Sequence, residues 1–174
     1  MTRLRAALAA VALLATVLVT GCSQSPDTTA VVNGLVIRES SVDAMAQALV
    51  STGAVAAYGD ARASAAQNLI AGEVARQVGL KDGIALTPPD IATLSSDHPS
   101  YAAFFATPLG EEFATDYTNA VQVSTVASDW PTQFAAVPVQ LNPRYGSWST
   151  YVANLASTTS VAAATGSMSD VSGS

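Results

Sequence analysis

The chain has 174 residues, a formal net charge of −6, 11% charged side chains and a single cysteine. That length suits one domain with a sizeable core, and a lone cysteine forms no disulfide within the chain, so stability must come from packing. Without residues 1–21, Arg38, Arg62, Arg76, Lys81 and Arg144 face all 13 acids, a balance of −8. Such a surface disfavours nucleic acid and polyanionic partners and suits neutral or cationic ones.

Arg3 and Arg5 precede an apolar run from Ala6 to Val19, which closes on Leu18-Val19-Thr20-Gly21-Cys22. The run has 14 positions, short of the roughly 20 that a membrane-spanning helix needs. A positive start, a short apolar core and small residues at its end make a secretory signal. A cysteine directly after those small residues resembles the lipobox of bacterial lipoproteins. The resemblance implies a cleaved signal peptide over 1–21, acyl chains such as palmitate on Cys22, and a protein held at the cell membrane on its extracytoplasmic side. One acyl chain anchors only marginally, at about 0.8 kcal/mol per buried methylene, whereas two or three anchor durably.

Residues 22–29 read as a flexible tether, 30–150 as the folded domain, and 151–174 as a low-complexity, mostly disordered tail poor in large apolar groups, in which a weak helical stub from about Tyr151 gives way to disorder over 157–174. The domain opens with two β-branched runs over Ala30–Ile37 around Asn33-Gly34, the pair suited to a tight hairpin. A helix follows, capped by Ser40 with Asp43 three residues on, burying Val42, Met45, Ala46, Leu49 and Val50 and ending at Gly53. Residues 54–59 fit either a helical extension or a loop. The second helix spans Asp60–Val78, capped by Asp60 and stopped by Gly79, with a stripe of Ala63, Ala66, Ile70, Val74 and Val78. Gly72 in its middle costs up to about 1 kcal/mol relative to alanine, which close helix packing explains.

Thr87-Pro88-Pro89-Asp90 predicts a helix start with Thr87 as cap and proline in the first turn. That helix is short and ends near Ser96; Asp97-His98-Pro99-Ser100 breaks the chain, and a short aromatic helix covers Tyr101–Ala106. Pro108 opens a long helix to about Ala127, with Leu109, Phe113, Tyr117, Ala120, Val121 and Ser124 inward. Asp129-Trp130-Pro131 starts one more short helix. Val137–Leu141 reads as a strand that Pro138 confines to an edge, paired with Ala30–Ile37 so that the two ends of the domain meet.

The segment AVVNGLVIRESSVDAMAQAL resembles the start of the SurA-type N-terminal chaperone domain: strand, Asn33-Gly34, strand, then a capped helix with Val42-Asp43. VARQVGLKDGIALTPPDI is similar to that family's second helix and the loop after it, and the likeness covers roughly residues 30–95. AVPVQLNPRYGSW resembles the closing strand of truncated, lipid-anchored relatives. The resemblance implies a mainly α fold with a small β-sheet, a helical domain closed by a C-terminal edge strand. It also implies binding of unfolded or extended segments of exported proteins. The family's parvulin isomerase module is not matched, because the paired histidines are missing, so prolyl isomerase activity is not implied.

No constellation argues for catalysis or a cofactor. His98 is the sole histidine and reads as a loop residue before a proline, without ligands at metal spacing. Gly146-Ser147-Trp148-Ser149 does not match the nucleophile elbow. Glu111, Glu112 and Asp116 cluster, yet they fall in the first turns of a helix, where negative charge complements the dipole. Arg144, with Tyr145 and Trp148 as aromatic anchors, is the candidate partner contact; the alternative, which the sequence favours, is a local ion pair with the aromatics covering the core. The expectation is a membrane-anchored, non-catalytic, chaperone-like or peptide-binding envelope lipoprotein, with an envelope scaffold as the alternative. Cys22 is the one residue to which chemistry is assigned.

Overall fold

Asn33 and Gly34 both take positive φ, 47° and 89°, the backbone that a two-residue hairpin turn demands. They join β1 (Thr28–Val32) to β2 (Leu35–Arg38) in antiparallel register, with Val32 opposite Leu35. The computed structural model describes residues 25–154; the leader, Cys22 and the tail beyond 154 lie outside the described residues. β3 (Val139–Leu141) pairs with the other side of β1, giving an antiparallel sheet of order β2-β1-β3. The two ends of the domain therefore meet in one sheet. Pro138 has no N–H to give a ladder and stands just before β3, where its carbonyl accepts from Asn33 N at 2.7 Å.

Both edges of the expected domain shift outward. Thr28 and Thr29 belong to β1, and Thr28 N bonds back to Ser25 O at 2.8 Å, so the last residues of the expected tether are part of the fold. At the other end, residues 148–154 are helical (α7), Val152 is buried, and the Tyr151 hydroxyl donates to Gln67 O at 2.8 Å.

The rest is helical: α1 (Glu39–Ser51), α2 (Tyr58–Asp82), α3 (Ile91–Asp97), α4 (Ala102–Phe105), α5 (Pro108–Val126) and α6 (Trp130–Ala136). α1 begins straight from β2, one residue before Ser40, so Ser40 is not its cap; the free amide of Glu39 bonds to Asp27 O instead, at 2.9 Å. α2 starts at Tyr58, which leaves Asp60 in the first turn rather than at the cap. It also runs through Gly79, which is buried beneath Leu86, and stops at Gly83, whose φ of 68° closes the helix.

α2 packs against α1 and α5 at once, so it buries two stripes: Ala61, Ala65 and Leu69 as well as Ala66, Ile70 and Val74. Ala63 falls outside both and is exposed. Asp90, not Thr87, caps α3, accepting from Ala92 N and Thr93 N, while Thr87 pairs with Gln122 of α5. On α5 the buried row is Phe113, Ala114, Asn119 and Val123, and Val121 is exposed.

The core centres on Met45, Leu49, Val74, Phe104, Phe105 and Phe134, all almost fully buried. Tyr101, Phe104 and Phe113 pack ring to ring at 5.4–6.4 Å between centroids. Gly110 admits the tight turn into α5: a Cβ there would stand 1.8 Å from Phe104 O.

Candidate functional site

Arg144, Tyr145 and Trp148 are committed within the fold. β3 leads into a single 3-10 turn, Pro143–Tyr145, which Asn142 caps by accepting from Arg144 N at 3.2 Å. That turn sets Tyr145 over Glu39, the first residue of α1, and its hydroxyl donates to Glu39 Oε2 at 2.8 Å. Arg144 Nη1 lies 3.8 Å from Glu39 Oε1, and its Nη2 donates to Pro26 O at 3.0 Å. The Trp148 indole donates to Phe134 O at 3.2 Å and stacks on Tyr151. All three residues thus make contacts within the chain, and the Arg144 side chain stays 44% exposed.

Glu39 is 8% exposed and is met by more than these two residues. Arg62 of α2 pairs with its Oε2, and Arg62 Nε also lies 2.7 Å from Asp43 Oδ1. Tyr58 donates to the same Asp43 oxygen at 3.1 Å. Two carboxylates, two guanidiniums and two phenols therefore close on themselves at the start of α1. Burial, then the bond to Glu39, raises the Tyr145 hydroxyl above the ordinary tyrosine range. It remains a donor at neutral pH, and the cluster clasps the turn after β3 and the helices α1 and α2 together. The sequence reading missed Glu39, because a charged residue at a strand–helix junction carries no local sign of burial.

The three acids of α5 separate. Glu111 and Glu112 are exposed near the helix start, whereas Asp116 is half-buried against α2. Burial, followed by repulsion from Glu112 and Glu73, pushes the Asp116 carboxyl up to about 7. His98 ends α3 and meets the Tyr117 ring edge-on at 6.1 Å. Among the described residues, no group of three or more His, Cys, Asp or Glu side chains could hold a metal ion.

No family model, curated protein or solved structure matches this chain.

Among the described residues, an open groove lies between the hairpin turn, the end of α2 and the α6–β3 link. Asn33, Gln77, Leu80, Lys81, Val137 and Pro138 line it. Leu80 is 70% exposed, which for a leucine leaves a full apolar side chain at the lip. Gln77 is anchored by its bonds to Val32 O and Glu73, while Lys81 supplies a cation in a chain that is acidic overall. Leu35 and Val36 are also exposed on the strand leaving the same turn. The sequence signal for this groove was slight: Leu80 lies off both buried stripes of α2, next to the glycine that looked like a stop. Among the described residues, no helix is long and apolar enough to cross a membrane.

Proposed function

We propose that this protein is a lipid-anchored lipoprotein of the bacterial envelope whose folded body binds extended polypeptide segments without catalysing a reaction. The observation that carries the reading is the N-terminal layout, Arg3 and Arg5, the apolar run and Leu18-Val19-Thr20-Gly21-Cys22. From Cys22 to the first strand residue, Thr28, the chain spans six residues, a reach of at most about 20 Å. An acylated Cys22 would therefore hold the body close to the membrane's outer face.

Support for polypeptide binding comes from the SurA-type resemblance of residues 30–95 and from the groove at the end of α2. Leu80 offers an apolar contact there, and the fixed amide of Gln77 offers a polar one. An extended segment needs both kinds of contact.

Two experiments test the reading. Cys22→Ser should abolish lipid labelling and release the protein from membranes while leaving its circular dichroism unchanged; full membrane retention overturns the anchor. Wild type should suppress aggregation of an unfolded client, and Leu80→Asp should suppress it less. No suppression by excess wild type sinks the binding role. The alternative, an envelope scaffold, draws on the alanine-rich helix faces, which leave few large side chains for a cradle. Crosslinking in membranes would favour it by yielding one stoichiometric partner instead of many clients.

A further inference from the structure

Asp116 of α5 sits directly over Gly72 of α2. A Cβ built on Gly72 would stand 2.3 Å from Asp116 Cβ and 2.4 Å from its Cγ and Oδ1. The carboxyl-bearing side chain therefore lies against bare helix backbone, in the seam between two long helices. The backbone amides of α2 at that level are spent in its own ladder. Asn68, on the same helix, turns its amide to Phe113 O at 2.9 Å. Arg76 attracts the Asp116 charge, but Glu73 holds that guanidinium at two points, 2.8 and 2.6 Å. The other charges facing Asp116 are acids: Glu112, one turn earlier on α5, and Glu73 on α2.

We propose that Asp116 is a proton-operated latch on the α2–α5 seam: the protonated carboxyl lets the helices close on each other, and the ionised carboxylate loosens them. The upward push on its titration, to about 7, agrees with that geometry. A carboxyl raised in the folded state keeps its proton where the unfolded chain has lost it. The contribution of Asp116 to stability is therefore full at and below the unfolded carboxylate value, about pH 4, falls as pH rises toward 7 and levels off above it. The latch would operate in the range an extracytoplasmic protein meets, and it stands whether or not the lipid anchor does.

The test is a carboxyl-carbon NMR titration of the purified protein, with thermal melts from pH 5 to 8 and hydrogen exchange across α2 and α5. The expected results are an Asp116 midpoint near 7 that falls in Glu112→Gln, and a wild-type melting temperature that drops by several degrees across the range. Asp116→Asn should remove that drop, and amides facing the seam should lose protection with rising pH in wild type alone. An Asp116 midpoint in the ordinary carboxylate range overturns the latch, as does a drop that persists in Asp116→Asn. Should Asp116→Asn fail to fold, the wild-type titration and the wild-type exchange decide the matter: seam amides whose protection does not fall with rising pH overturn the latch.

Discussion

The Tyr145 hydroxyl reaches the Glu39 carboxylate at 2.8 Å across 106 positions of chain. Through this contact the turn after β3 is bonded to the first residue of α1, and Arg62 brings α2 to the same carboxylate. A carboxylate at a helix start also meets the positive end of the helix dipole. The clasp and the three-stranded sheet thus fasten the same two ends of the domain, one by charge and the other by backbone.

Breaking the clasp from its two sides should cost different amounts. Tyr145→Phe removes one hydrogen bond and should lower stability by about 1 kcal/mol. Arg62→Ala leaves Glu39 buried without its main partner and should cost about 3 kcal/mol. Urea denaturation of both variants measures the order, and equal losses would contradict the geometry.

The glycines should separate by what surrounds them. Gly110→Ala drives a Cβ to 1.8 Å from Phe104 O, a backbone atom that cannot swing aside, and should cost about 3 kcal/mol. Gly72→Ala gains about 1 kcal/mol in helix propensity but collides with the base of the Asp116 side chain, so it should still destabilise. Gly59→Ala, in the first turn of α2 with open space around it, should be neutral or stabilise by about 0.5 kcal/mol. Melting temperatures in the order Gly59→Ala, Gly72→Ala, Gly110→Ala, from highest to lowest, are expected.

Asn142 joins the two ends of the domain through both its backbone and its side chain. Its backbone N–H donates to Thr29 O and its side-chain amide to Thr28 O, each at 2.9 Å. Asn142→Ala keeps the first bond, loses the second and uncaps the turn that carries Tyr145, at a cost of about 2 kcal/mol. Hydrogen exchange of β1 amides should rise in this variant before exchange in α5 does; uniform loosening would show that the contact is not local to the sheet.

Glu73 gives the fold an acid limit of opposite sign to Asp116. Burial alone would raise its carboxyl, but hydrogen bonds from Arg76 and Gln77 and the Arg76 charge hold it below the ordinary range. Its stabilisation is present above the unfolded carboxylate value and is lost as pH falls through the folded one. Between about pH 5 and 3, wild type should lose more stability than Arg76→Ala does. Asp116 holds its proton in the folded chain throughout that window, so the comparison isolates Glu73. Urea midpoints at the two pH values provide the measurement.

Local chemistry alone was enough to place the hairpin, because Asn33-Gly34 tolerates the positive φ that few other pairs accept. It also placed the closing strand and its pairing with β1, although β3 starts at Val139 rather than Val137 because Pro138 has no amide for the ladder, and it placed the helical segments, because 3.6-residue periodicity repeats over many turns. Periodicity misled where a helix has two neighbours: α2 buries two stripes, so a single-stripe reading chose Ala63 wrongly, and Gly79 looked like an end because the cover provided by Leu86 comes from beyond the helix. What only the tertiary structure decided is which charged groups lose water. Glu39 and Asp116 look in sequence like any helix-start acids; one lies in a clasp of guanidiniums and phenols, the other over the bare backbone of Gly72. Burial depends on which distant segments arrive, and no local pattern of residues records that.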